Sequence, residues 1–144
     1  MTEAPRLDRQ VCFALYSASR AATAVYRPVL EELGLTYPQY LVMLVLWESE
    51  PRGVKELGEE LGLDSGTLSP LLKRLEVLGL VERRRSGEDE RRVAIHLTPA
   101  GRSLSSRAAA IPQRLADAAG LSAGELEQLR ETLGKLTAAL HHAV

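Results

Sequence analysis

Residues 54–98 decide the fold, and they read VKELGEELGLDSGTLSPLLKRLEVLGLVERRRSGEDERRVAIHLT. In the first half of this stretch, leucines recur at steps of three and four residues, which is typical of amphipathic helices. Gly62 and Asp64 interrupt the repeat, so two short helices separated by a tight turn are predicted. The apolar side chains expected to form their small core are Val54, Leu57, Leu61, Leu63, Leu68, Leu71, Leu72, Leu75, Leu78 and Leu80.

The second half of the stretch changes its pattern after Gly79. The alternation typical of strands predicts a β-hairpin, with strands at 81–85 and 92–97 and a polar tip at 86–90. A helix, a tight turn, a second helix and a basic hairpin follow one another in winged helix-turn-helix domains, which bind DNA. The predicted fold class is therefore mainly α with a small β-wing.

Two helices are predicted before this stretch. Apolar residues fall on one face from residue 7 to residue 33, and Pro28 is expected to kink or divide that first helix. Residues 36–51 are apolar on all sides in their middle part, which indicates a buried central helix.

Two further helices are predicted after the hairpin, because Thr98 with Pro99 and Ser122 with Glu125 are helix-start signals. The last helix carries a stripe of leucines that needs a covering surface, at Leu126, Leu129, Leu133, Leu136 and Leu140. We therefore expect a homodimer held by segments 1–35 and 99–144, around a DNA-binding part at 36–98. A monomeric helical bundle is the alternative.

Composition excludes several classes of protein. One cysteine among 144 residues cannot build a disulfide framework, which favours a reducing cytosol. We expect a cytoplasmic protein without a membrane segment, a cofactor or a metal site. The net charge of −1 divides unevenly, with −4 over residues 48–72 and +2 over residues 73–92. A polyanion such as DNA could therefore bind one local surface.

The second helix of the stretch offers the first candidate DNA contacts. Short hydroxyl side chains near its N-terminus can approach base edges and phosphates, and the basic pair beyond them suits the phosphate backbone. The candidate set is Ser65, Gly66, Thr67, Ser69, Pro70, Lys73 and Arg74. If the helix starts at Ser65, Pro70 removes a backbone donor inside it, so the residues alone equally allow Ser69 as the N-cap.

The hairpin offers the second set of candidate DNA contacts. Its arginines are expected beside a minor groove, where negative potential is concentrated in narrow A/T tracts. These candidates are Arg83, Arg84, Arg85, Asp89, Arg91 and Arg92.

Two parts of the chain resemble a known protein family. The stretch LDSGTLSPLLKRLEVLGLVERRRSGEDERRVAIHLTPAG resembles the recognition helix and wing of the MarR family of dimeric bacterial transcription regulators, whose D-x-R wing signature matches Asp89 and Arg91. The N-terminal part is similar to the organic hydroperoxide resistance regulators within that family. Cys12 in CFALY, Tyr26 in VYRP and Tyr37 in TYPQY carry this more specific resemblance. It also favours the earlier helix start, at Ser65.

The resemblance implies a function for Cys12. In that subfamily the matching cysteine senses peroxide, and tyrosines matching Tyr26 and Tyr37 hydrogen-bond it across the dimer interface. Thiolates, the reactive form, are favoured near helix N-termini and beside hydrogen-bond donors. Tyr16, four residues after Cys12 on the same face, is a third candidate neighbour. The resemblance implies an organic hydroperoxide as the oxidant of Cys12. Some relatives carry a second cysteine that closes a disulfide between subunits. This chain has none, so we expect a small cellular thiol to form the disulfide with Cys12.

Three other functions remain open from the sequence. A related repressor could respond to a small aromatic ligand, with Cys12 structural. A thiol peroxidase is less favoured, because the chain has no resolving cysteine. A winged helix can also serve protein contacts alone.

Overall fold

The computed structural model describes residues 3–85 and 92–144, and this part of the chain is mainly helical with a small antiparallel sheet. After a 3₁₀ turn at Leu7–Arg9, the elements are α1 (Val11–Leu33), α2 (Tyr37–Glu48), β1 (Arg52–Gly53), α3 (Val54–Leu61), α4 (Ser65–Val77), β2 (Val81–Arg85), β3 (Val93–Leu97), α5 (Pro99–Ala108), α6 (Ile111–Ala118) and α7 (Ala123–His142). The predicted fold class is confirmed. No helix in the described ranges is both long and apolar enough to cross a membrane.

Helix α2 is the buried central helix that the sequence predicts. Its start is fixed by a capping box, in which the Gln39 backbone N–H donates to the Thr36 hydroxyl and the Thr36 N–H donates to the Gln39 carboxamide. The side chains that its middle buries are Gln39, Tyr40, Val42, Met43, Val45 and Leu46. It therefore serves as the core against which α1, α3, α4 and α5 pack.

Helices α3 and α4 form the predicted helix-turn-helix. Gly62 ends α3 in the left-handed conformation, with φ of 68°, and the Asp64 carboxylate caps α4 by accepting from the Thr67 N–H at 2.8 Å. The earlier start of α4, at Ser65, is confirmed, with Pro70 inside the helix.

The predicted core of this region is mostly confirmed. Leu57, Leu68, Leu72 and Leu75 are buried, whereas Val54, Leu61, Leu63, Leu71 and Leu80 are half-buried. The prediction for Leu78 is wrong, since half of its side chain is exposed. Leu78 follows the last turn of α4 as its C-cap and leaves the buried face, where Leu75 is the last buried leucine.

The sheet has the strand order β1-β3-β2, with all pairs antiparallel. In the hairpin, Val81 faces Leu97 and Arg85 faces Val93. The second strand begins at Val93, one residue later than predicted, and Val93 is paired with Arg85. The short strand β1 is an addition to the prediction, and the predicted polar tip at 86–90 lies outside the described residues.

Helix α1 begins at Val11, later than predicted, because Gln10 has an extended backbone. It runs through Pro28 without being divided, so that part of the prediction is wrong. Proline removes one hydrogen bond from a helix interior, and the packing of α1 on α2 and α5 offsets that loss.

The C-terminal part begins as predicted, with Thr98 capping α5 and a capping box between Ser122 and Glu125 at the start of α7. Between them, the structure has two helices where one is predicted, and Pro112 occupies the first turn of the second. By its internal contacts the chain forms two units, one ending at Ala109 and one spanning Ala110–Val144. Every residue of α7 is exposed or half-buried, including its five stripe leucines. The predicted dimerisation segments concern contacts between chains and stay a prediction.

Candidate DNA interface and redox centre

The polar residues predicted on the recognition helix α4 all lie at the surface. Ser65, Gly66, Thr67, Ser69, Pro70, Lys73 and Arg74 are exposed, while Leu68, Leu72 and Leu75 face the core. The Asp64 side chain caps the N-terminus of α4. The hydrogen bonds that its carboxylate accepts from Thr67 lower the pKa of Asp64. Helix α4 therefore presents a surface of hydroxyl and basic side chains. Such side chains can contact base edges in the major groove of DNA.

Arg83 occupies a central place beside this surface. One groove is lined by Ser69, Pro70, Lys73, Glu76 and Arg83, between α4 and the hairpin. A second groove is lined by Gly53, Val54, Lys55, Glu56, Glu59, Arg83, Arg92 and Val93, between α3 and the hairpin. Arg83 belongs to both grooves, so this residue lies where the helix-turn-helix and the hairpin meet.

The three arginines of β2 are all exposed, yet they are not equivalent. Arg84 forms an ion pair of 3.2 Å with Glu82, and its hydrogen bonds lower the pKa of that carboxyl. Successive side chains of a strand point to opposite faces, so Arg83 and Arg85 lie on the other face. The remaining wing candidates, Asp89 and Arg91, lie outside the described residues.

Cys12 lies in the first turn of α1 and is exposed. The side chains of Val11, Phe13 and Tyr16 around it are also exposed, and the Tyr16 ring lies 5.4 Å from the guanidinium carbon of Arg20. Of these three, Tyr16 lies on the same helix face as Cys12, about one turn further along.

Tyr26 and Tyr37 belong to an aromatic cluster between α1 and α2. Their rings stack with centroids 5.8 Å apart, and the Tyr40 ring lies 6.1 Å from Tyr26 and 6.3 Å from Tyr37. Burial, and secondarily the other tyrosines, raises the pKa of Tyr26 and Tyr40, so these phenols keep their protons at neutral pH. The buried apolar run of α2 is the only sequence signal that could have pointed to Tyr40 and to its neighbour Trp47.

One chain does not bring Cys12 and these tyrosines together. Cys12 and Tyr26 are both on α1, fourteen residues apart. At 1.5 Å of rise per residue this separation is about 21 Å. Tyr37 stacks on Tyr26 and is equally remote, while Tyr16 is near Cys12 but outside the cluster. A contact between the thiol and Tyr26 or Tyr37 therefore requires a second copy of the chain.

Comparison with known proteins identifies the family to which this chain belongs. Residues 24–108 match the family model of the transcriptional regulators SarA/Rot. Over 136 residues the chain is 48% identical to the organic hydroperoxide resistance transcriptional regulator of Bacillus subtilis, with 94% of this chain and 92% of that protein covered. It belongs to the MarR family of transcription regulators, in the branch of the organic hydroperoxide resistance regulators.

Other regulators resemble the chain as well, one of them in a solved structure and one by its sequence. Overoxidized AbfR bound to DNA is 35% identical, with a TM-score of 0.79 and 96% of both chains covered. The HTH-type regulator MgrA of Staphylococcus aureus is 41% identical over 137 residues, which cover 94% of this chain and 93% of that one. As a member of the MarR family, the chain is a winged-helix transcriptional regulator.

Proposed function

We propose that this regulator is a homodimeric repressor, which binds an inverted-repeat operator and leaves it when an organic hydroperoxide oxidises Cys12. One observation carries the proposal. Cys12 is exposed at the start of α1, about 21 Å along the helix from Tyr26, so a contact between its thiol and the tyrosine cluster would have to be made by a second copy of the chain. A repressor acts on chromosomal DNA, which in bacteria lies in the cytoplasm.

Charge and shape support the DNA-binding part of the proposal. The hydroxyl side chains of α4 suit base edges, and Lys73, Arg74 and Arg83 suit phosphates. In a symmetric dimer, the two α4 helices would lie about 34 Å apart and read two half-sites. An inverted repeat is the expected operator because its two half-sites are related by the same two-fold symmetry as the subunits of such a dimer.

The exposed apolar surfaces support the dimer. Leu129 and Leu140 of α7, and Val11 and Phe13 of α1, are each at least two-fifths exposed in the single chain. Exposed apolar side chains favour association with a matching surface, and we expect contacts between two copies of the chain to cover them.

The proposed chemistry has two steps. The Cys12 thiolate attacks a peroxide oxygen; the S–O bond forms, the O–O bond breaks, and the alkoxide leaves and takes a proton as an alcohol. The sulfur loses the two electrons that reduce the peroxide and becomes a sulfenic acid. A small thiol then attacks this sulfur, an S–S bond forms and water leaves. Each subunit reacts once, so we propose a sensor and not an enzyme.

The second step is the one we assign to DNA release. Overoxidized AbfR is seen bound to DNA, so in that relative added oxygen on the protein is compatible with DNA binding. A disulfide-containing form of AbfR also exists. The present chain has a single cysteine, so its disulfide must form with another molecule. A mixed disulfide with a small thiol adds far more volume at the interface than oxygen does.

Cys12→Ser is the direct test of this proposal. We expect this variant to bind the operator with wild-type affinity and to stay bound after treatment with organic hydroperoxide and a small thiol. Fluorescence anisotropy on labelled operator DNA measures binding, and intact-mass spectrometry of the same sample measures the state of Cys12. Release of DNA from wild type while Cys12 remains an unmodified thiol would contradict the proposal.

A second candidate function is supported by one groove. Gly34, Thr36 and Gln39 face Pro70, Lys73, Arg74, Val77 and Leu78 across a space of ≈ 570 Å³, which has the size of a small-molecule site. Its apolar walls and two cations suit an aromatic anion. Release of DNA by such a compound from Cys12→Ser and wild type alike would favour this ligand-responsive repressor.

A further inference from the structure

Trp47 joins the end of α2 to the first turn of α5. Its indole N–H donates to the carbonyl of Gly101 at 2.9 Å, across 54 residues of sequence. Nearby, Arg102 of α5 forms hydrogen bonds of 2.7 and 3.2 Å with the carboxylate of Glu50, just after α2. Two polar connections therefore hold these helix ends together.

The same turn of α5 is joined to the turn between α4 and the wing. The Thr98 hydroxyl donates to the carbonyl of Gly79 at 2.6 Å, and the Thr98 N–H donates to the carbonyl of Leu80 at 3.1 Å. Gly101 is packed so closely here that a Cβ on it would lie 2.1 Å from the Leu80 carbonyl oxygen. We call Trp47, Gly79, Leu80, Thr98 and Gly101 the Trp47 junction.

On its other side the junction contacts the tyrosine cluster. The Tyr40 and Trp47 rings meet edge to face with centroids 6.3 Å apart, and Tyr40 contacts both Tyr26 and Tyr37. A continuous series of contacts thus runs from Tyr26 and Tyr37, through Trp47, to the turn that precedes β2.

We propose that Trp47 is a positioning residue that couples the tyrosine cluster to the wing. This inference rests on the proposed function, and it adds that the mixed disulfide at Cys12 displaces the tyrosine cluster of the other subunit. Close-packed and hydrogen-bonded elements move together instead of deforming continuously. A shift of α2 would therefore carry the α4–β2 turn with it and move recognition helix and wing away from their DNA-binding positions.

The test compares three variants with wild type. Trp47→Phe keeps an aromatic ring beside Tyr40 and removes the hydrogen bond to Gly101. Thr98→Val removes the hydroxyl that donates to Gly79 and caps α5. Ser103→Ala is the matched control, because its hydroxyl bonds within α5, to Pro99, away from the junction. The readout is the ratio of two operator affinities, that of the protein with Cys12 as a thiol and that of the protein with Cys12 fully converted to the mixed disulfide. Mass spectrometry measures how much of Cys12 is modified.

We expect Cys12 to be modified at the wild-type rate in all three. The affinity ratio should fall at least roughly tenfold in Trp47→Phe and Thr98→Val, which corresponds to a coupling free energy in the ordinary range, and should be unchanged in Ser103→Ala. Loss of operator binding by the thiol form of a folded variant would also support the inference, since the wing would then have lost its position.

Two outcomes would contradict the inference, and they can be told apart. Wild-type ratios in both junction variants would overturn this inference alone and leave the proposed function standing. A wild type that keeps its affinity after complete modification of Cys12 would overturn both. Circular dichroism establishes folding, and if Trp47→Phe does not fold, Thr98→Val decides.

Discussion

At the scale of single residues, the proposed sensor depends on two residues with different roles, which lie far apart on helix α1. Cys12 provides the reactive sulfur at the exposed start of α1, and Tyr26 lies four turns further along in a partly buried cluster. Burial raises the pKa of the Tyr26 phenol further above neutrality. A protonated phenol donates a hydrogen bond to a thiolate without adding charge.

The first prediction concerns these phenols. Tyr26→Phe and Tyr37→Phe remove only the hydroxyl, so folding and DNA binding should survive, while oxidation of Cys12 should slow roughly tenfold for each lost hydrogen bond to a charged group. Tyr40→Phe is the control, because Tyr40 is buried on the side of Trp47. Timed thiol alkylation followed by mass spectrometry gives the rates. Equal rates in all four proteins would remove the tyrosines from the mechanism.

The second prediction separates two neighbouring arginines. Arg83 lines both grooves beside α4, whereas Arg84 is already paired with Glu82. Arg83→Ala should weaken operator binding for all sequences and reduce the slope of log affinity against log salt by about one. Arg84→Ala should change both quantities less. A salt titration of operator binding checks this, and the reverse order would place the DNA on the other face of β2.

At the scale of elements, the sequence was most informative where a local signal decides the structure. Thr36, Asp64, Thr98 and Ser122 each cap a helix through their own side chain, so helix starts could be predicted from a few residues. Gln10, by contrast, carries no such signal, and the predicted start of α1 was too early.

Other elements depend on contacts that are distant in sequence. Strand β1 has two residues and exists because Arg52 and Gly53 pair with β3, more than forty residues away. The tyrosine cluster and the Trp47–Gly101 bond likewise join separate helices, so no periodicity indicates them. The candidate residues of α4 were predictable as a set, whereas the special place of Arg83 needed the geometry of two grooves.

The third prediction concerns the ion pair between α2 and α5. The hydrogen bond from Arg102 lowers the pKa of Glu50 below its ordinary value of 4.5. A lowered pKa in the folded state stabilises the protein above the unfolded pKa, and that contribution is lost as the pH falls through the lowered value. Glu50→Gln should therefore be less stable than wild type at neutral pH, and the difference should vanish under acidic conditions below that value.

Urea unfolding across a pH series measures this difference. Glu48→Gln, an exposed carboxylate of the same segment, is the control and should run parallel to wild type. A stability difference for Glu50→Gln that is independent of pH would mean that the ion pair does not contribute.

At the scale of the whole molecule, we expect the exposed leucines of α7 to form part of the predicted dimer interface. Leu129 is 45% exposed in the single chain, so replacing it costs little within one subunit. The fourth prediction is that Leu129→Lys keeps its helical content but shifts the dimer toward monomer and weakens binding to the full operator. Glu131→Lys, on the same helix outside the stripe, is the control. Sedimentation velocity at micromolar concentration is the measurement, and a stable Leu129→Lys dimer would exclude this surface.

The position of Trp47 also has an optical use. It is the only tryptophan in the chain, and its indole lies between the Tyr40 ring and the Gly101 carbonyl. Indole emission responds to hydrogen bonding and to solvent, so unlabelled protein should report on this one location through its intrinsic fluorescence. Wavelength and intensity recorded during oxidation would report any change at this position in real time.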